Sequence, residues 1–516
     1  MALATLSAAN FQQAQKNRAW LAAPIAITLA ILLGLLAGML SGGRSFLAIG
    51  VVLALAVPFV WWRAPASGVV TLLGCSTVIE QFQYSVGIPG LDAFTDKIPV
   101  FTSLSSGLNA TGLFMSPMDI AVVVLLLVWL TRGVTERSLG IPRTQVAAAI
   151  GVMLLLATLA LLRGLTSTAP GAGGESAASA SLWEYRPWIY MAAAFLFSSQ
   201  VIRTRRAVQA VLWAFVLGTG FKAVQGVYIF FETRNEIPRP EAILAHEESV
   251  FFAIFIILTM CLWIFGQRGW LRTTATVLLP IVIIADLGND RRDGVLILGA
   301  ELIVLGVLAY ISLPAKRRLI ARISAVALVL FAVYMPLEWN GTGTLSGVAQ
   351  AIRSGISPDP RDAQSNDYRI DEDADLGAMI KQNPLLGTGF GVPIQYNLTP
   401  VQTISASDTF INYVPHNTLL YIWVRMGLPG ELALWMLIAV GLFAGVRASR
   451  SRDREVALVG TLVACTVVGW VIMGYTDMGF WWFRVALALG VLLGVLHASV
   501  ERERTARATG AVTGAR

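Results

Sequence analysis

His416 is one of only three histidines in the 516 residues, and it follows a proline in "YVPHNTLLYIWVRMGLPGE", residues 413–431. The polar pair Asn417-Thr418 then opens an apolar run. A neutral imidazole at a water–membrane boundary can orient or deprotonate a hydroxyl, and the positive end of a helix dipole, which disfavours imidazolium, would keep it neutral near pH 7. The plainer reading is an interfacial histidine that hydrogen-bonds the loop backbone. Arg291 and Arg292, in "LGNDRRDGVLIL", stand at the start of another apolar run. Guanidinium groups beside the N–H groups of a helix start form a receptor for phosphate, matched in geometry and charge. Asp290 and Asp293 flank them, so neutralisation in surface ion pairs is the competing reading. Arg369, in "SNDYRID", is a third cation; alone it would read as an ordinary solvated loop arginine.

Three further cations lie against or within apolar runs. Lys222 sits inside 207–231 with Gln225 beside it, where an unpaired charge is costly unless it snorkels to the surface or meets an anionic head group. Arg186 opens "RPWIYMAAAFLF", and Arg484 lies in the last apolar run; both are weaker cases of the same kind.

These groups need elements to carry them, and the composition says which. The chain is 56% hydrophobic and 13% charged, the profile of a polytopic all-α membrane protein built on apolar runs of roughly 20 residues. Candidate spans lie near 20–41, 46–62, 66–80, 117–131, 145–163, 188–200, 207–231, 246–265, 272–287, 293–312, 318–336, 430–446, 456–474 and 480–498. The third and sixth are short, so the expectation is 12–14 helices. The first run is too long for a signal-peptide core and reads as a retained anchor.

The net charge of +7 is explained by topology and not by nucleic acid, because the arginines cluster in short connections between runs. With both termini cytoplasmic, alternation puts every dense basic cluster on one side. His416, Arg291, Arg292 and Arg369 then fall on the other. The chain divides into a transmembrane region at 1–336, a large extracytoplasmic loop at 337–415, and helices with a basic tail at 416–516. Within the loop, 371–382 reads as a short amphipathic helix with acids in its first turn and Asn383-Pro384 as its stop.

Other signals carry less. Cys75, Cys261 and Cys465 are isolated in apolar stretches, which implies neither disulfides nor a thiolate metal site. "GTGFG", 387–391, lacks the Lys-Ser/Thr of a P-loop and reads as a tight turn with close backbone packing. The acids "DEDAD", 371–375, are oxygen ligands in principle, but acids clustered at a helix start are usually solvated.

Four stretches, in order, give the second half a resemblance: "RRDGVLIL", "SNDYRIDEDADLGAMIKQ", "NPLLGTGFG" and "HNTLLYIWVRMGLPGE". With these the chain resembles the O-antigen ligase/polymerase superfamily of bacterial membrane glycosyltransferases. The resemblance implies a GT-C-like helical fold in the cytoplasmic (inner) membrane, acting at its outer face on a polyprenyl-diphosphate-linked oligosaccharide, with no cofactor and no metal. It assigns His416 to the acceptor hydroxyl, and Arg292 and Arg369 to the donor diphosphate. Arg291 stands one position from the family arginine, and Arg186-Pro187 is a further point of likeness in the first half. Arg291, Arg186, Lys222 and Asn417 are the expected substrate-binding residues.

The chemistry is self-consistent. A lipid diphosphate is a good leaving group, so the catalyst must hold phosphate charge and direct a sugar hydroxyl at the anomeric carbon, with inversion. The acceptor, whether glycan, lipid or wall polymer, is not written in the sequence. The competing class is a transporter or flippase for lipid-linked saccharides, which would favour polar groups near the midplane and detectable halves; Lys222 and Gln225 are its only support.

Overall fold

The computed structural model describes residues 56–81, 100–101, 115–136, 140–166, 177–233, 243–341, 343, 346–399 and 413–513. Among them the architecture is all-α, without a strand. In chain order the helices are α1 (Pro65–Val78), α2 (Pro117–Thr135), α3 (Gln145–Leu165), α4 (Ala177–Val201), α5 (Arg205–Thr233), α6 (Glu247–Ile264), α7 (Trp270–Asn289) and α8 (Arg292–Ser312). After a 3-10 turn at Pro314–Lys316 come α9 (Arg317–Glu338), α10 (Gly347–Ile356), α11 (Pro360–Gln382), α12 (Thr418–Ser449), α13 (Arg454–Thr476) and α14 (Phe483–Thr513). Ten are long and apolar enough to cross a membrane: α2, α3, α5 to α9 and α12 to α14. The chain is therefore a multi-pass membrane protein.

Two compact units appear, residues 1–71 with 120–140, and residues 72–119 with 141–516. In the first, Leu125 of α2 packs on Gly68 of α1, and Arg132 donates to the Trp62 carbonyl. The second holds every candidate site residue. Its centre is made by α6, α13 and α14, whose apolar windows are 83%, 83% and 89% buried, whereas that of α9 is entirely exposed. Cys261 and Cys465 are buried in these helices, as small core residues.

Several expected boundaries are corrected. The span expected at 20–41, and all but the end of 46–62, lie outside the described residues. The span at 66–80 is α1, whose 14 residues reach only about 21 Å, short of the ~30 Å apolar core. The span at 188–200 is the 25-residue α4; it starts eleven residues earlier than expected, because Glu184 and Arg186 are satisfied by internal partners and need no water. The span at 430–446 likewise lies within a 32-residue helix, α12, that begins at Thr418. The helix expected at 371–382 starts eleven residues earlier. Asp359 accepts from the Asp362 N–H as N-cap and Pro360 takes the first turn, a start signal stronger than the acids of 371–375, which therefore sit in mid-helix.

Alternation of direction holds from α5 to α14. At one end Lys316 donates to the Ile264 carbonyl at 3.0 Å, Arg205 pairs with Asp453 at 2.6 Å, and Ser312 meets Ser449 at 3.2 Å. The basic clusters of these connections gather there. His246, Arg291, Arg292, His416 and Asp477 lie at helix ends of the opposite pole.

Two glycines fix how α12 enters. Gly427 interrupts its helical dihedrals at φ 66°, ψ −170°, a region essentially closed to other residues, and a Cβ there would lie 2.2 Å from the Leu385 carbonyl oxygen. Gly387 approaches the same break from the other side, where a Cβ would meet the Arg425 carbonyl at 2.5 Å. The 387–391 stretch is thus a turn laid backbone against backbone on the kink. Thr388 and Gly389 N–H groups donate to the Val424 and Arg425 carbonyls at 2.7 and 3.0 Å, supplying bonds that the broken helix lacks.

Candidate active site

α11 organises the site. Asp362, Ser365, Asn366, Arg369, Glu372 and Asp373 recur at three- and four-residue spacing, and so share one face. Its C-terminal half is anchored by Leu376 and Met379, buried with Ile394 and with Val424 of α12. Asp375 is bound by the N–H groups of Asn397, Leu398 and Thr399, and by the Thr399 hydroxyl at 2.9 Å. Burial alone would raise the Asp375 carboxyl, but these four donors hold it below the usual range. Part of the acidic cluster is thereby engaged in tying down its own loop.

Arg292, the first residue of α8, meets this face. Its Nη2 donates to Ser365 Oγ at 2.9 Å, its Nη1 donates to Asn366 Oδ1 at 3.3 Å, and Asp362 lies at 3.4 Å. Two turns further along, Glu372 takes His416. One carboxylate oxygen, Oε2, accepts the His416 backbone N–H at 2.9 Å and lies 3.2 Å from Nδ1. With Nδ1 donating, Nε2 is left with its lone pair. Seven residues of helix separate Ser365 from Glu372, about 10 Å at 1.5 Å per residue, so the arginine and the histidine stand at the same pole.

Around the imidazole, the Tyr368 ring stands edge-on with centroids 5.6 Å apart. Its phenol is pushed up to about 12 by burial and by the Glu372 charge, so it stays protonated. Asn417 accepts from the Leu420 N–H at 3.2 Å as N-cap of α12 and bonds to Asp373. The His416 side chain is 22% exposed and Glu372 2%, an accessible ring on a buried support.

Electrostatics here differ from the sequence expectation. Burial works against imidazolium, but the hydrogen bond and charge of Glu372, helped by Asp477, outweigh it and raise the His416 pKa above its ordinary 6.5, with Arg369 opposing. The carboxylate, not the helix dipole, sets the basicity. A neighbouring carboxylate acts through a direct hydrogen bond, whereas a dipole end contributes only a partial charge.

Arg369 acts electrostatically on His416, Asp293 and Arg292, which makes it the cation between the other two groups. Arg291 caps α8 and its buried Nε has no hydrogen-bond partner among the described residues. Of the expected binding residues, Asn417, Arg291, Arg292, Arg369 and His416 are thus brought to one pole around α11.

The remaining expected residues have other partners. Arg186 pairs with Asp119 at 3.1 Å, and Asp119 also accepts from Tyr190 at 2.6 Å. Lys222 is fully buried and neither snorkels nor meets solvent. It donates to Glu80 at 2.5 Å and to Gln225 at 2.9 Å, with Glu248 at 3.8 Å. Arg484 completes this cluster on Glu247 at 2.8 Å and Glu248 at 2.6 Å. Among the described residues, no group of three or more histidine, cysteine, aspartate and glutamate residues has metal-binding geometry.

Residues 287–436 match the family model described as O-antigen ligase. The match covers 150 of the 516 residues. No curated protein matches the chain. That segment supports, in general terms, glycan transfer of the O-antigen ligase type. The matched segment contains Arg291, Arg292, Arg369, Glu372 and His416, and ends within α12.

Three site residues escaped the sequence reading. Glu372 hid in "DEDAD", although Arg369–Glu372–Asp373 already has helical spacing. His246 and Asp477 lie outside the matched segment, 231 positions apart, and are joined at 2.7 Å. The rarity of histidine was the only signal for the former, and the latter had none.

Proposed function

We propose that this chain transfers a glycan from a polyprenyl-diphosphate-linked oligosaccharide to an acceptor hydroxyl at the outer face of the cytoplasmic membrane, with inversion and without a metal. The observation that carries the reading is the Glu372–His416 pair on the same helix face as Arg369 and the partners of Arg292.

In the proposed reaction His416 Nε2 accepts the proton of the attacking hydroxyl, while Glu372 holds the Nδ1–H and stabilises the imidazolium that forms. The guanidinium groups of Arg292 and Arg369 hold the diphosphate and the charge that builds on it as the anomeric C–O bond breaks. Direct displacement on one side of the sugar gives inversion. The apolar exterior of the bundle lets the polyprenyl chain remain in lipid while its head group reaches α11. Both chain ends are proposed to face the cytoplasm, on the side of the basic clusters.

The test uses the purified protein in nanodiscs with a defined polyprenyl-diphosphate oligosaccharide and candidate acceptors, with and without EDTA. Wild type should form a glycosidic bond of inverted configuration by NMR, insensitive to EDTA. His416→Ala and Arg292→Ala should each lose on the order of 10²-fold or more in kcat/KM. Undiminished transfer by both variants would remove the proposed site, abolition by EDTA would overturn metal independence, and flipping of the donor without bond formation would make the protein a transporter.

A further inference from the structure

His416 is not the only imidazole at this pole. His246, immediately before α6, has its Nδ1 2.7 Å from Asp477 Oδ2, and the two side chains are 36% and 3% exposed. The arrangement repeats that of His416 on Glu372: a buried carboxylate holds Nδ1 and leaves Nε2 on the accessible side. Asp477 ties the two together. Burial would raise its carboxyl, yet His246 first and then His416 hold it below the ordinary range. Trp482 stacks beside the His246 ring, centroids 6.2 Å apart and planes inclined by 28°, and Asn289 of α7 fixes the preceding backbone through the Leu244 N–H at 2.9 Å.

The surroundings of the two rings differ. Asp293, next to Arg292 at the start of α8, feels the charges of Asp477, His246, Arg291 and Arg369, so His246 lies on the α8 side of the site, whose arginines are proposed to hold the diphosphate. Glu247 and Glu248, next along α6, are turned away onto Arg484. His416 stands instead on Glu372 of α11, beside Asp373. An imidazole on the side of the departing diphosphate is placed to give it a proton, and one on the acceptor side to take one.

We propose that His246 is a second catalytic residue of this site, the general acid that serves the departing diphosphate while His416 serves the incoming hydroxyl. The inference rests on the function proposed above. In the step, the acceptor O–H bond breaks and its proton goes to His416 Nε2 as the new C–O bond forms at the anomeric carbon. The bond from that carbon to the phosphate oxygen breaks, the electron pair stays on the oxygen, and the His246 Nε2–H proton passes to the diphosphate. One imidazole ends protonated and the other neutral, and exchange with water restores both.

A base and an acid of opposite role predict a bell-shaped dependence of kcat on pH, its acid limb from His416. His246→Gln, which keeps a donor toward Asp477 but carries no charge, should lower kcat about 10²-fold, leave the donor KM within about threefold, and abolish the basic limb. Added imidazole should restore at least tenfold of the rate lost by His246→Ala, with the thermal midpoint of both variants unchanged. A wild-type profile without a basic limb overturns the proposal with no variant needed. Wild-type kcat and an intact basic limb in His246→Gln, with His416→Ala inactive, overturn this inference alone. Absence of any transfer by wild type overturns it together with the proposed function.

Discussion

At the residue scale the controlling contact is a single carboxylate oxygen, Glu372 Oε2, which binds both the backbone N–H and the ring of His416. Because this contact raises the His416 pKa above 6.5, the reactive neutral form is lost as pH falls through that raised value. Glu372→Gln should therefore move the acid limb of kcat/KM to lower pH and reduce its plateau by about 10- to 100-fold, read from a full pH–rate profile. A limb that stays in place would sever the pair. Arg292 is engaged through both terminal nitrogens, so Arg292→Lys, which preserves charge and loses the fork, should lower kcat/KM by about tenfold, well short of the Arg292→Ala loss. Equal losses in the two variants would show that planar geometry, and not charge, is what the donor reads.

At the element scale the question is what holds His416 at the head of α12 when that helix is broken nine residues later. Arg425 answers it. Fully buried, it lies 2.7 Å from Glu184 of α4 through Nε and donates to the same carboxylate from Nη2 at 3.1 Å. It also donates to the carbonyls of Tyr413 at 2.8 Å and Val392 at 2.5 Å. Glu184 in turn accepts from Tyr421 at 2.7 Å and from the Gly391 N–H at 3.0 Å. One ion pair thus joins α4, α12, the glycine turn and the strand of chain leading to His416. Arg425→Met strands a buried carboxylate and should cost about 3–5 kcal/mol, seen as a lower thermal midpoint, and Glu184→Leu in the same chain should recover part of it. Gly427→Ala should also cost about 1–3 kcal/mol of stability, seen as a lower midpoint, since φ 66° with ψ −170° is strained for any side chain. A neutral effect would mean that the kink relaxes freely into a straight helix.

At the largest scale, the proposed chemistry lies at one pole of the second unit, and the basic clusters of its short connections lie at the other. Single cysteines in place of Arg268 and Arg452 should resist a membrane-impermeant thiol reagent in sealed right-side-out vesicles, and a cysteine in place of Arg361 should react. The native Cys75, Cys261 and Cys465 would be replaced beforehand. Reaction at Arg268 or Arg452 would invert the proposed orientation. The buried cluster of Lys222, Glu80, Glu248, Glu247 and Arg484 serves this architecture by joining α5, α6 and α14 just behind His246.

What could be read from the sequence alone was the hydropathy of the runs, the side on which arginines gather, and the polar residues that interrupt these patterns. Each is a one-dimensional property, set by the cost of exposing or burying a residue whatever its distant neighbours are. That sufficed for an all-α membrane fold and for attention to His416, Arg292 and Arg369. The sequence could not show which charges neutralise each other, because Lys222 and Glu80 are separated by 142 positions, Arg425 and Glu184 by 241, and His246 and Asp477 by 231. α4 carries Glu184 and Arg186 among apolar residues because their partners, Arg425 and Asp119, come from elsewhere in the chain. Only the tertiary fold decides such pairings, since a charge in a low-dielectric interior takes its stability and its pKa from whatever lies within a few ångströms in space.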